Sequence, residues 1–180
     1  VAPALKALQA EHPNLSYDLR VSNELASLTR RDADIAVRAT RRPPQHLVGK
    51  HLGSIRVGLY AGRTSGITYA DVEAGRTPWL AIDDAIPDHP SVSWRKRHFP
   101  KVMPTYFVNS LQIAAEMVGM GMGVGILPVV MAQERRDLVT LRDLQDANQS
   151  ELWLLTHPES RHLRRIAVVY GHLAQMLRLP

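Results

Sequence analysis

The sequence predicts an α/β protein that is divided into two blocks. Short apolar segments typical of strands alternate with segments whose apolar residues recur at helical spacing. The chain opens in the order helix, strand, helix, strand, which is typical of a parallel sheet with helices on its faces. The small, polar stretch 61–65 then separates the first block from the second. A length of 180 residues is enough for one large domain or two small ones.

The first block is predicted to open with a helix. Pro3 suits its first turn, Leu5 and Leu8 share one face, and the helix has to end before Pro13. Segment 15–21 alternates between apolar and polar residues and is therefore predicted to be a strand. The other elements expected in this block are a helix capped by Ser22 or Asn23 that runs to about 31, and strands at 33–38 and 55–60.

The second block continues the alternation. We expect helices at 68–75, 92–99, from the cap at Asn109 or Ser110 to Gly119, and from 129 to about 137, with strands at 79–82, 105–108 and 124–127. A strand at 152–156 and a long helix at 163–177 close the chain. The apolar residues of this last helix follow the i, i+3, i+4, i+7 template closely.

The composition excludes several classes of protein. The chain has no cysteine, so it is not a disulfide scaffold, and 45% hydrophobic residues exclude a disordered chain. No stretch approaches the roughly 18 uncharged apolar residues of a membrane helix, so no membrane partner is expected. The formal net charge of +5 and the pI of about 9.9 favour anionic partners in general.

The sequence contains no motif whose spacing fits a catalytic site, a metal site or a cofactor site. The glycines of 119–125 are spaced by two and lie between a helix and a strand, whereas the dinucleotide fingerprint needs strand, glycines and helix in that order. The pairs His46/His51 and His157/His162 are five residues apart, which does not place both rings on one helix face. We therefore expect no catalytic residues, no metal and no cofactor, and hence no enzyme.

Four segments together resemble the effector-binding (co-inducer) domain of LysR-type bacterial transcriptional regulators. They are Leu5…Leu8…Glu11-His12-Pro13-Asn14-Leu15, Asp34-Ile35-Ala36-Val37-Arg38, Asn109-Ser110 with the helix leading to Gly119…Gly121…Gly123-Val124-Gly125-Ile126-Leu127-Pro128, and Leu152-Trp153-Leu154-Leu155-Thr156-His157-Pro158 followed by Arg161…Arg165. Their order and spacing span nearly the whole chain.

The resemblance implies a fold like that of type 2 periplasmic binding proteins, in which two Rossmann-like α/β subdomains are joined by two crossover strands. Residues 1–61 plus 151–180 would form the first regulatory subdomain, and residues 62–150 the second. The N-terminal winged helix-turn-helix domain of the family and the first strand of the regulatory domain are absent from this sequence. Promoter DNA would therefore be bound only through that absent domain.

The resemblance also implies a ligand in the cleft between the subdomains, and ligands of open α/β sheets bind beyond the carboxyl ends of strands. That rule selects Ser22, Asn23, Ala39 and Thr40 in the first subdomain, and Asn109 and Ser110 in the second. The backbone of Gly123 and Val124 would close one wall. Helix N-termini at the serines suit a carboxylate or another anion, although helix capping alone is an alternative role for Ser22 and Ser110.

The leading hypothesis is a cytoplasmic ligand-sensing domain of a DNA-binding regulator. It would bind a small-molecule effector, an organic anion, and form a homodimer or homotetramer through its first helix and a second-subdomain helix of the partner. An extracytoplasmic solute-binding protein of a transporter, with nearly the same fold, is the alternative. A small enzyme of the same architecture is a third possibility that no motif supports.

Overall fold

The structure is a computed structural model that describes residues 1–21, 33–82, 89–145, 147 and 150–179. The chain divides into two compact units, and each contains its own sheet and helices. Unit 1 consists of Val1–Ser54 and Ser150–Pro180, and unit 2 of Ile55–Gln149. The predicted α/β class is confirmed.

Unit 1 contains three strands and two helices among its described residues. In chain order these are α1 (Ala2–Glu11), β1 (Ile35–Ala39), β2 (Val48–Ile55), β8 (Ser150–Thr156) and, after a 3-10 turn at Ser160–His162, α6 (Arg164–Met176). The strands numbered β3 to β7 and the helices numbered α2 to α5 are in unit 2.

The sheet of unit 1 has the strand order β1-β8-β2. β1 runs antiparallel to β8, with Ile35 opposite Thr156 and Ala39 opposite Leu152. Helices α1 and α6 pack together on this sheet, and Leu5, Leu154 and Leu173 lie in the shared core. The amphipathic patterns of the first and last helices are thus explained by burial on one sheet.

The predicted strand at 15–21 is wrong. These residues are in none of the described strands, and Leu19 and Val21 are exposed. Apolar alternation alone does not make a strand, since the backbone also needs a neighbouring strand to bond with. No described strand of unit 1 pairs with this segment. The helix predicted from Ser22 or Asn23 to 31 lies outside the described residues.

Unit 2 contains five strands and four helices among its described residues. They are β3 (Val57–Gly62), α2 (Tyr69–Glu73), β4 (Trp79–Ile82), α3 (Pro90–His98), β5 (Tyr106–Val108), α4 (Leu111–Gly119), β6 (Val124–Pro128), α5 (Val129–Ala132) and β7 (Leu138–Asp143).

The sheet of unit 2 is mixed, with the strand order β5-β4-β6-β3-β7. Strands β5, β4 and β6 are parallel, whereas β3 is antiparallel to β6 and to β7. One face of the sheet buries Trp79 against Trp94 of α3, and the other buries Leu80 against Ala115 of α4. Helices on both faces explain why β4 and β6 are fully buried apolar runs.

A glycine turn connects α4 to β6, as the sequence predicts. Gly121 has a φ of 79°, which favours glycine. A Cβ atom on Gly123 would lie 2.4 Å from the carbonyl oxygen of Pro78, so a side chain at this position would collide with backbone. The glycines therefore serve close packing at the start of β6, and this order of elements does not form a dinucleotide loop.

Candidate functional site

The first half of the candidate site lies at the carboxyl end of β5 in unit 2. Ile82 of β4 is in register with Val108 of β5, so these parallel strands end at the same edge of the sheet. Asn109 and Ser110 follow β5 at this edge. The structure thus places both residues where an open α/β sheet binds ligands.

Ser110 caps helix α4 at this edge. Its Oγ accepts a hydrogen bond from Ile113 N at 3.4 Å, and its carbonyl oxygen accepts from Ala114 N at 3.0 Å. In an α-helix, the first N–H groups have no acceptor within the helix, here those of Leu111 and Gln112. The end of α4 therefore presents N–H donors and a positive helix dipole, which suit an anion.

Gly123 and Val124 lie at the other edge of the same sheet. Val124 is in register with Trp79, at the amino ends of the parallel strands, and its N–H donates to Pro78 O at 2.9 Å. The side chain of Val124 is completely buried. The structure does not bring these two residues together with Asn109 and Ser110, because the length of β6 separates them.

The second half of the candidate site lies at the carboxyl end of β1 in unit 1. Ala39 is exposed there. Thr40 N donates to Glu151 O at 2.8 Å, which extends the pairing of β1 with β8 by one residue. Thr40 Oγ1 accepts from Arg42 N at 3.1 Å, and the hydroxyl proton can still be donated to an acceptor.

Three side chains at this end of the unit 1 sheet form a polar cluster, His51–Ser54–Glu151. The carboxylate of Glu151 contacts His51 Nε2 and accepts from Ser54 Oγ at 3.0 Å. The hydrogen bond from His51 is the main cause of a lowered pKa of Glu151, and Ser54 and the charge of Arg41 add to it. Ser54 bonds to the carboxylate rather than to the histidine, so this is not a serine–histidine pair prepared for nucleophilic attack.

The sequence did not indicate this cluster. His51 and Glu151 are 100 residues apart in the chain, and their contact depends on how β2 and β8 enter one sheet. A histidine in a strand with glycines and a glutamate at the start of another strand carry no local signal.

Apart from Gly123 and Val124, the described candidate residues of each unit lie at the end where the chain crosses to the other unit. The crossings are at Ser54–Ile55 and Gln149–Ser150. In unit 1 these positions adjoin the polar cluster and Thr40. In unit 2, β3 begins at Val57 opposite Pro128, the carboxyl end of β6. Ser22 and Asn23, the remaining predicted site residues, lie outside the described part of the chain.

The described ranges contain no group of three or more histidine, aspartate or glutamate side chains that could hold a metal ion. Among the same residues, no helix has both the length and the apolar character needed to cross a membrane.

Comparison with known sequences gives a family match over almost the whole chain. The LysR substrate binding domain matches residues 1–178. A curated relative, an HTH-type transcriptional regulator of Xanthomonas campestris pv. campestris (strain 8004), is 34% identical over 61 residues. That alignment covers 34% of this chain and 18% of the regulator, so it spans less than a fifth of the regulator's length.

Solved structures show the same fold. The regulatory domain of CrgA, a LysR-type transcriptional regulator from Neisseria meningitidis, superposes with a TM-score of 0.79 at 16% identity, covering 98% of this chain and 91% of that one. The CcmR regulatory domain of Synechocystis PCC6803, solved in complex with 2-PG, superposes with a TM-score of 0.73 at 14% identity, covering 98% and 90%. The type 2 periplasmic-binding-protein-like fold expected from the sequence is thereby confirmed. With its α/β units and a family match from end to end, this chain belongs to the LysR substrate-binding domain family.

Proposed function

We propose that this chain is the effector-sensing part of a LysR-type DNA-binding transcriptional regulator. A small-molecule effector, an organic anion, binds in a cleft between the two regulatory subdomains. It contacts Thr40 on unit 1 and Asn109 and Ser110 on unit 2, with Ala39 and the region of Ser22 and Asn23 contributing to the unit 1 side. The two units correspond to the two regulatory subdomains. Gly123 and Val124 lie at the other edge of the unit 2 sheet and do not contact the effector.

The observation that carries this proposal is that each half-site lies at the end of its own unit where the chain crosses to the other unit. Thr40 lies beside Glu151 at the crossing end of unit 1, and Ser110 lies at the crossing end of unit 2. A ligand bound at both ends would have different contacts in different arrangements of the units. It would shift the population of those arrangements by its differential affinity for them.

The chemistry of the half-sites favours an anion. The end of α4 offers N–H donors, and Thr40 offers a hydroxyl. The loop after β1 adds two exposed cationic side chains, Arg41 and Arg42. The match to CcmR, whose regulatory domain was solved with 2-PG, gives a related fold with a bound small molecule.

We further propose that the domain forms a homodimer or a homotetramer. The face of α1 that points away from the core of unit 1 has small side chains, including Ala7 and Ala10, which would let another helix approach closely. Helix α5 of unit 2 exposes Val130 and is our choice for the partner's contribution. Promoter DNA would be bound through an N-terminal helix-turn-helix domain outside this chain, and the regulator would act in the cytoplasm.

The solute-binding alternative is not favoured, because the family match is to a regulatory domain. The same match argues against an enzyme, since this family is one of regulators. A polar cluster with a carboxylate at its centre also gives no nucleophile–base pair.

A thermal-shift screen of mono- and dicarboxylates and phosphorylated acids tests the proposal. We expect at least one compound to raise the Tm of the wild type. Thr40→Val and Ser110→Ala should each reduce its affinity about tenfold, as expected for the loss of one hydrogen bond to a charged group. The shift is measured against each variant's own unliganded Tm, since Ser110→Ala also removes a helix cap.

Two controls sharpen the result. Thr105→Val changes an exposed threonine at the opposite edge of the unit 2 sheet and should leave the affinity unchanged. Ser110→Thr keeps the hydroxyl and should retain most of the binding. Equal affinity in the wild type, Thr40→Val and Ser110→Ala would show that the effector binds elsewhere.

A further inference from the structure

A small space lies in unit 2 between β4 and α3. It offers about 10 Å³ to the centre of a water molecule, which is close to what a single water needs. Its walls include Trp79 and Ala81 from β4, Ser91, Val92 and Arg95 from α3, and Ile126 from β6. This cavity is separate from the predicted effector contacts.

Two side chains that line the cavity have buried N–H donors without a partner. Trp79 Nε1 and Arg95 Nε are both buried and have no hydrogen-bond acceptor among the described residues. Trp79 is 1% exposed and Arg95 is 8% exposed, so bulk water does not reach either group. A different nitrogen of Arg95, Nη1, donates to Val102 O at 2.7 Å.

Both unsatisfied atoms are donors, so the missing partner is an acceptor. Ser91 does not serve this purpose, because its hydroxyl is 2.6 Å from His89 Nδ1 and accepts from neither nitrogen. The other named walls are apolar side chains. Native proteins satisfy nearly all of their buried polar groups, and a bound solvent species is the usual partner where no protein group is present.

We propose that the cavity between β4 and α3 binds one acceptor of single-atom size, a water molecule or a halide ion, which accepts hydrogen bonds from Trp79 Nε1 and Arg95 Nε. The size of the space excludes larger anions such as phosphate or a carboxylate. An entirely apolar cavity of this size would remain empty, but two of the residues that line this one carry unsatisfied N–H donors. The bound species would link α3 to strand β4 of the unit 2 sheet.

Crystals of this chain grown with sodium bromide in place of chloride test the assignment. We expect electron density in the cavity within about 3.5 Å of both nitrogens. An anomalous peak at the bromine edge would identify a halide site, and density without an anomalous signal would identify water. Either result supports the proposal. Empty density, density that touches only one nitrogen, or a protein group that accepts from both would overturn it.

Matched variants give a second test. Trp79→Phe keeps a ring of similar shape and removes the Nε1 donor, so the occupant's density should be lost or fall to less than half of the wild-type value. Trp94→Phe changes another tryptophan of the same core, one that does not line the cavity, and should leave the density unchanged. Unchanged density in Trp79→Phe would contradict the assigned hydrogen bond. If that variant does not fold, the bromide map of the wild type decides alone.

Discussion

His89 caps helix α3 with its own imidazole ring. Nδ1 accepts from Ser91 N at 3.3 Å, and burial lowers the pKa of His89 from 6.5 to about 4. The neutral ring is therefore the form that the folded protein keeps over the range from about pH 6.5 down to about pH 4. In the unfolded chain the same ring takes up a proton near its ordinary pKa.

The stability supplied by neutral His89 should be complete above pH 6.5 and should decrease as the pH falls toward 4. The unfolded state binds a proton in this window and the folded state does not, which costs up to about 3 kcal/mol. His89→Asn keeps an acceptor at the cap and should reduce this dependence. Urea unfolding at several pH values measures it, with His162→Asn as the exposed control. An equal pH slope in the wild type and His89→Asn would contradict the prediction.

Glu151 responds to acid for a different reason. Its hydrogen bonds with His51 and Ser54 favour the carboxylate, so its folded pKa lies below the ordinary value of 4.5. The stabilisation is present above that value and is lost as the pH falls through the lower, folded pKa. The side chain is about one third exposed, and solvent screening limits the effect to less than about 1 kcal/mol.

Glu151→Gln should therefore destabilise the protein slightly at neutral pH and make little difference below the folded pKa. Urea unfolding at neutral pH and at the lowest pH at which the protein stays folded compares the two conditions. The same change at Glu73, at the end of α2, serves as the control and should have no effect at either pH. A larger difference at low pH than at neutral pH would have the wrong sign for this explanation.

At the scale of the element, the strands and helices predicted correctly are those whose apolar residues are buried in the pattern that the element requires. Strand β4 was predicted at its observed bounds because its four residues are apolar and buried on both faces of a sheet. Helix α6 was predicted because its apolar stripe faces a core. Strand β2 was missed, since its sequence has two glycines, a lysine and a histidine and shows no clear alternation. Segment 15–21 had the alternation, but none of the described strands pairs with it.

Replacing glycine with alanine should have opposite effects on stability in the unit 2 turn and in α6. Gly123→Ala places a Cβ against Pro78 O, which should destabilise the protein by about 2 kcal/mol or more. Gly171→Ala lies in α6 with open space around the new methyl group and should stabilise it by about 0.5–1 kcal/mol. Denaturant unfolding of both variants measures the difference. A neutral Gly123→Ala would show that β6 can shift away from Pro78.

At the scale of the whole molecule, part of the candidate site could be predicted from the sequence. Thr40 and Ser110 follow strands, so a general rule for α/β sheets located them without knowledge of the tertiary structure. Gly123 precedes strand β6 and Val124 begins it, so the direction of β6 places both residues at the other edge. Glu151 could not be located, because its partners come from a distant part of the chain.

If α1 forms part of the proposed dimer interface, a large charged side chain on its outer face should weaken dimerisation. Ala7 is exposed on the outer face of α1, so Ala7→Arg should leave the folding of unit 1 intact and obstruct a helix packed against that face. Sedimentation velocity should show a shift from dimer or tetramer toward monomer. Gln175→Arg on the exposed side of α6 is the control and should not change the distribution. A dimer that persists in Ala7→Arg at the wild-type affinity would exclude this interface.

The most direct measurement of effector sensing is a distance between the two units with and without effector. The chain has no cysteine, so Gln175→Cys in unit 1 and Gln133→Cys in unit 2 provide two unique positions for spin labels. Double electron–electron resonance should show a shifted distance distribution when the strongest compound from the carboxylate screen is added. Adding Thr40→Val and Ser110→Ala to the labelled protein should abolish this shift at the same ligand concentration. An unchanged distribution while calorimetry shows saturated binding would contradict the claim that the effector acts by shifting the arrangement of the units.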